Sequence, residues 1–294
     1  MTLTFKVTQS VAVLFWRLLL VSTLLTNSGC AWLDKHQRQI IYRPTAYQTS
    51  DTVNWQSGDE PYWANVPDAT GPQRIALWWL PHPSPQAPTL LYLHGTFRNL
   101  YGNTHKIEAL RTAGFSVLAV DYRGWGESSP ITPSEQSIML DAQIAWNELI
   151  RHQPNPTKRV IYGHSMGSGV AVDLASRLQY RADYQCLVLE SAFTSFADVA
   201  HEAGWLTRVL KLLNQEQFNS IDKIGKIHAP LLMLHGKRDD TIPIQLGERL
   251  FAAANNPKHW LAMEDAAHSD LNMVNPGLYQ TTLQEFASTC LSGQ

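Results

Sequence analysis

The chain has 294 residues, 44% hydrophobic and 16% charged, with a formal net charge of −2. That length is enough to bury a full core, as one large α/β domain or two small ones. The near-neutral balance, with no run of five like charges, excludes the basic stripe of a nucleic-acid binder and the charged tails of interaction segments.

The N-terminus reads as an address. Lys6 and Arg17 precede the apolar run 18–25, which is followed by Thr26-Asn27-Ser28-Gly29-Cys30. This is the layout of a secretory signal: positive residues, a short apolar stretch, then small residues. Ser28-Gly29-Cys30 also resembles a bacterial lipobox, whose cysteine is diacylated and becomes the new N-terminus, although Asn27 stands where an aliphatic residue is usual. Arg17 interrupts the run of about 20 apolar residues that a spanning helix needs. The expectation is a signal sequence over 1–30 with Cys30 as the lipidation site. The protein would then be exported to a bacterial cell envelope and held to a membrane by its lipid anchor. Ala31 is not the retention residue Asp, which favours the outer membrane; a soluble periplasmic or secreted form is the alternative.

Residues 31–72 are polar and weakly patterned, and read as a linker with one early strand at 39–42. From Arg74 onward short apolar runs alternate with helical patterns, the signature of βαβ units and a mostly parallel sheet. The predicted strands are 75–80, 89–94, 116–121, 159–163, 186–190, 230–235 and 259–263. Predicted helices cover 134–151, 166–178 and 278–291. Such near-continuous apolar strands suit a sheet of about eight strands covered by helices on both faces. Residues 73–294 therefore read as one catalytic domain. Between Ser191 and Pro230 there is one amphipathic stretch, 204–213, which allows a small helical flap and little or no cap domain. Three cysteines do not make a disulfide framework. Cys186 lies in the apolar run Cys-Leu-Val-Leu, and the sequence leaves open whether it pairs with Cys290.

Gly163-His164-Ser165-Met166-Gly167 matches G-x-S-x-G. The pentapeptide alone is weak evidence. Its setting is strong, because Val160-Ile161-Tyr162 reads as a strand before it and Val170–Ala175 as a helix after it. A sharp turn of this kind needs small neighbours, which Gly163 and Gly167 supply. A serine hydroxyl becomes a useful nucleophile only when a base takes its proton. In chains of this pattern the acid and then the histidine follow the serine. Asp239 lies just after the predicted strand 230–235, at the carboxyl end where open α/β sheets place their sites. Asp240 and Glu190 compete with it as the acid. His268, in Ala266-Ala267-His268-Ser269-Asp270, alone among eleven histidines falls between the last strand and the final helix. Acyl transfer also needs donors for an oxyanion. The backbone N–H groups of Met166 and Thr96 are the candidates, with His94 bridging loops nearby. No H-E-x-x-H, paired Cys/His spacing or dinucleotide motif occurs, so neither metal nor cofactor is expected.

Together these residues resemble the α/β-hydrolase superfamily, and within it the cap-less Bem46-like, ABHD13- and ABHD17-like serine hydrolases. The resemblance rests on Leu93-His94-Gly95, on Asp121-Tyr122-Arg123-Gly124-Trp125-Gly126-Glu127-Ser128 and on Pro133-Ser134-Glu135. It continues through Gly163–Gly167, Leu234-His235-Gly236 with Asp239 and Pro243, and His268. Thr96-Phe97 departs from the Asn-rich turn often seen after His-Gly, and Ala267 stands where many members have Gly. The resemblance implies an α/β-hydrolase fold and a serine hydrolase of the carboxylesterase or lysophospholipase kind, cleaving a small-molecule or lipid ester, or a thioester, through an acyl-enzyme on Ser165. Fold does not dictate substrate. A serine aminopeptidase-like activity and a non-catalytic scaffold are the alternatives, while Ser165 argues against a dehalogenase, which carries Asp there.

Overall fold

Alternate residues of each central strand are sent to opposite faces of one sheet, and both faces are buried. A computed structural model describes residue 32 and residues 34–68, 71–202 and 216–292 of the chain. The signal segment with Cys30 and the stretch 204–213 lie outside the described residues.

The strands are β1 (Glu60–Val66), β2 (Gln73–Leu80), β3 (Thr89–Leu93), β4 (Ser116–Asp121), β5 (Arg159–His164), β6 (Cys186–Glu190), β7 (Leu231–Gly236) and β8 (Lys258–Met263). They form one eight-stranded sheet in the order β1-β2-β4-β3-β5-β6-β7-β8. β1 and β2 pair antiparallel, as do β2 and β4, and the pairs from β4 across to β8 are parallel. The helices are α1 (34–42), α2 (Thr104–Thr112), α3 (Glu135–His152), α4 (Met166–Arg177), α5 (Phe196–Glu202), α6 (Ile221–Ile224), α7 (Ile244–Ala253), α8 (Leu271–Val274) and α9 (Pro276–Ser292).

Leu91 and Leu93 of β3 pack with Ile161 of β5, with Ala142 and Leu149 of α3 and with Val170 and Leu174 of α4. Their neighbours Leu90 and Tyr92 face the other way, against Leu110 of α2 and Leu283 and Phe286 of α9. A strand buried on both faces has no polar side to advertise, which is why β3 to β7 read as solid apolar runs. α3 starts where Ser134 and Ser137 form a reciprocal capping box, each hydroxyl accepting the other's backbone N–H at 3.0 and 2.9 Å. The disulfide Cys186–Cys290 joins the first residue of β6 to α9.

Two expectations are corrected. Residues 34–42 are helical, not a strand at 39–42. The run Ile40-Ile41-Tyr42 is too short for its period to separate the two states, and the helix is secured by Tyr42, whose hydroxyl donates to Glu216. The segment 31–72 is also more than a linker, because β1 lies within it and the sheet begins at Glu60 rather than at 73.

Strand order reverses at β3: the chain passes from β3 outward to β4, then returns to β5 on the other side. Crevices at the carboxyl ends of strands form at such switch points. Leu93 of β3 lies opposite Gly163 of β5 there, and His164 lies opposite Glu190 of β6.

Candidate active site

β5 ends on Gly163-His164 and α4 begins at Met166, so Ser165 alone makes the turn. Its φ of 55° and ψ of −125° lie outside the regions that L residues populate. Such a conformation costs on the order of 1–3 kcal/mol and persists only where its surroundings enforce it. Here the enforcement is close packing of main chains. A Cβ on Gly163 would sit 2.2 Å from the Gly167 carbonyl oxygen, and one on Gly167 would sit 2.0 Å from that of Leu93. The Ser165 N–H donates to the Glu190 carbonyl at 2.9 Å.

The loop after β8 brings His268 to this turn. Its Nε2 lies 2.8 Å from Ser165 Oγ and its Nδ1 2.8 Å from Asp239 Oδ2. Asp239 comes from the loop after β7, and its Oδ1 accepts the backbone N–H groups of Thr241 at 3.0 Å and Ile242 at 2.7 Å. His235 Nε2 donates to the Ile242 carbonyl at 2.9 Å and lies 3.4 Å from Asp239 Oδ2. Burial alone would raise the Asp239 carboxyl. The hydrogen bonds from His235 and His268, the His268 charge and the Ile242 N–H outweigh burial and hold the carboxyl well below the usual carboxylate range.

The competing acids are placed elsewhere. Asp240 is exposed beside Thr241. Glu190 is fully buried and accepts from Lys106, Tyr162 and Tyr279.

Thr96 follows β3, next to the turn, and its carbonyl accepts the Trp125 indole N–H at 2.7 Å. His94 steadies the same loop, with Nε2 3.2 Å from Asp121 Oδ1, while Asp121 Oδ1 accepts the Leu100 N–H at 2.9 Å. Gly126 closes the cluster, since a Cβ there would lie 1.9 Å from Asp121 Oδ2. The segment from Asp121 to Ser128 is therefore the brace of the Thr96 loop. Among the described residues, neither the Thr96 N–H nor the Met166 N–H donates to a protein acceptor.

Two positioning contacts have no signal in the sequence. Ser191 Oγ donates to the His268 carbonyl at 2.9 Å, and His164 Nε2 reaches the same oxygen at 3.1 Å. Both are fixed by pairing across more than seventy residues, which no local pattern records.

A serine on a strained strand–helix turn, joined through a histidine to a carboxylate at the carboxyl edge of a sheet of this topology, is the arrangement of an α/β-hydrolase. The chain belongs to the hydrolase family described as serine aminopeptidase, S33, which matches residues 84–221. It is 31% identical over 278 residues to an uncharacterized protein of Mycobacterium tuberculosis, covering 93% of this chain and 95% of that one. It is 34% identical over 187 residues to the lysophosphatidylserine lipase ABHD12 of Danio rerio, covering 58% of this chain and 48% of the lipase. The Pyrococcus furiosus esterase Pf2001 superposes with a TM-score of 0.66 at 20% identity, over 85% of this chain and 98% of the esterase. At that identity the likeness is one of fold.

Proposed function

We propose that the protein is a serine hydrolase that cleaves carboxylic esters, with lipid acyl esters as its preferred class, through an acyl-enzyme on Ser165. The carrying observation is the unbroken chain of two 2.8 Å contacts from Ser165 through His268 to Asp239. The ionised Asp239 accepts the His268 Nδ1–H, so Nε2 is left as the base. Ser165 Oγ gives its proton to Nε2 and attacks the ester carbonyl, and the oxyanion lies against the N–H groups of Met166 and Thr96. His268 then protonates the leaving alcohol. Water, deprotonated by the same nitrogen, releases the acid and restores Ser165.

Preference for apolar acyl groups is supported by exposed apolar side chains close in sequence to site residues: Phe97, next to Thr96, is 45% exposed, and Met273, five residues after His268, is 60% exposed. The short connection over 191–230 agrees with the cap-less Bem46-like branch. The similarity to the lysophosphatidylserine lipase favours an ester over a peptide. Asp239 and Glu190 are already paired with His268 and Lys106, which leaves neither carboxylate free to hold a substrate amine. Fluorophosphonate labelling of the protein beside Ser165→Ala tests the nucleophile. Labelling of wild type alone is expected; equal labelling of both would move the nucleophile elsewhere.

We further propose that the protein is exported and lipidated at Cys30. The signal-like run 18–25 and the lipobox-like Ser28-Gly29-Cys30 support this, as does the Cys186–Cys290 disulfide, which persists in oxidising compartments. Among the described residues no helix is long and apolar enough to cross a membrane. Cys30→Ser should move the protein from the membrane to the soluble fraction. An unchanged membrane fraction would end the lipid-anchor reading.

A further inference from the structure

Lys106 on α2 and Glu190 at the end of β6 form an ion pair with both side chains withdrawn from solvent. Desolvating two charges costs several kcal/mol per ion, and a well-packed apolar pair is often as stable or more so. Stability alone is therefore a weak reason for this pair, and its surroundings supply another. Glu190 Oε2 accepts from the Tyr162 hydroxyl and, at 3.0 Å, from the Tyr279 hydroxyl. Lys106 Nζ lies 5.6 Å from the centre of the Tyr279 ring. The Glu190 side chain is thus held from α2, β5 and α9 at once.

The main chain of the same residue serves the site. Its carbonyl accepts the Ser165 N–H at 2.9 Å. The next residue, Ser191, held at φ 49°, donates to the His268 carbonyl at 2.9 Å. Across the β5–β6 register, His164 donates to that carbonyl at 3.1 Å, with its Nε2 4.0 Å from Glu190 Oε1. One pinned residue therefore sets the main chain of the nucleophile directly and that of the base through its two neighbours.

We propose that the buried Lys106–Glu190 pair is a positioning device for Ser165 and His268, acting through His164 and Ser191. It rests on the reading of Ser165, His268 and Asp239 given above. The electrostatics point the same way. Burial and the Lys106 ammonium, with a smaller contribution from His268, hold His164 down to about 3, against Glu190, which raises it. A neutral His164 keeps its single N–H on the His268 carbonyl. The groups that face it are Lys106 from α2, Glu190 from β6, and His268 and Ser269 from the loop after β8; Tyr279 of α9 faces it only through Glu190. Without Lys106, Glu190 is uncompensated and His164 takes up a proton at higher pH. Its Nε2–H then turns toward Glu190 and leaves the His268 carbonyl to Ser191.

The test uses the full chain, with kcat and KM for p-nitrophenyl butyrate and the rate of fluorophosphonate labelling measured from pH 5 to 9. Lys106→Met should lower kcat roughly 10- to 100-fold at the acid end with KM little changed, the loss narrowing toward pH 9. Lys106→Met/Glu190→Gln, which leaves no unpaired charge but also no ion pair to hold residue 190, should lose the pH dependence while kcat stays roughly 10-fold below wild type; recovery to wild type would overturn the proposal. Ser191→Ala should lower kcat about 10-fold at every pH. A folded Lys106→Met with the wild-type kcat and pH profile overturns the proposal, whatever its melting temperature. If that variant does not fold, a wild-type kcat in Ser191→Ala overturns it. Ser165→Ala that still labels would instead remove the triad on which the inference rests.

Discussion

Asp239 divides its two oxygens between two tasks. Oδ1 is consumed by the Thr241 and Ile242 N–H groups, which fix the carboxylate plane, while Oδ2 faces His268 Nδ1. Asp239→Asn keeps the shape but offers His268 an amide that can donate, so the imidazole is no longer held in the tautomer with Nε2 free. A loss in kcat on the order of 10³–10⁴ is expected without loss of fold. Asp240→Asn, one residue on and exposed, should leave kcat unchanged. Ester hydrolysis with circular dichroism on both variants checks the pair, and comparable losses in the two would contradict the assignment. This distinction was only half legible in the sequence. The loop after a predicted strand favoured Asp239 over Asp240 and Glu190, but the two N–H groups that turn it inward left no mark in the sequence. Lys106 was less legible still, since its partner lies 84 residues away and nothing local marks a lysine as buried.

At the scale of elements, β3 to β7 declared themselves through apolar continuity, with ends displaced from expectation by at most a residue or so. β1 did not. It is an edge strand that buries only Ala64 and Val66, with Tyr62 half-buried and the rest exposed, and Glu60 and Pro61 at its start disguise it as linker. α2 was unread for a related reason: its buried face includes a lysine, so its apolar stripe is interrupted. The pairing of Cys186 with Cys290 was equally beyond sequence, because it needs the first residue of β6 to point to the sheet face that α9 covers. The bond closes a loop with a sequence separation of 104. Restricting the unfolded chain by a loop of that size is worth about 4.7 kcal/mol in the chain-entropy account, against about 2–4 kcal/mol for a typical disulfide. Cys186→Ser/Cys290→Ser should therefore lower the urea midpoint while leaving kcat at 25 °C near wild type. Cys186 opens the strand whose far end, Glu190, meets the site. A kcat that fell in step with stability would show that α9 reaches the active site.

The whole molecule carries opposing responses to acid. His164 is held down to about 3, chiefly by burial, and His105 and His152 are lowered by burial too. An unfolded histidine titrates near 6.5. Below that pH the unfolded chain binds protons that these folded side chains refuse, so stability falls as pH drops from about 6.5. Glu190 and Asp239 act lower down. Burial would raise both, but Lys106 and His164 outweigh it at Glu190, which falls to about 2, and His235 and His268 outweigh it at Asp239. Their contribution is complete above the unfolded carboxylate range near 4 and is lost below it. Asp141 runs the other way. Burial lifts it to about 6 even though Arg123 donates to both its oxygens at 2.8 Å. The folded protein therefore binds that proton before the unfolded chain does, and acidification from about 6 toward 4 is stabilising at this site; Asp121, also raised by burial, acts in the same direction. The net expectation is a decline in unfolding free energy from pH 7 to pH 5 that Asp141 partly offsets, then a steeper loss below pH 4. Asp141→Asn removes the offset. Its free energy at pH 7 should drop because Arg123 loses its partner, but the informative quantity is the difference between pH 7 and pH 5, which should be larger than in wild type. Urea unfolding of both proteins at the two pH values measures it. An equal difference would mean that Arg123 already compensates the burial of Asp141, and that this carboxyl does not offset the acid sensitivity set by the histidines.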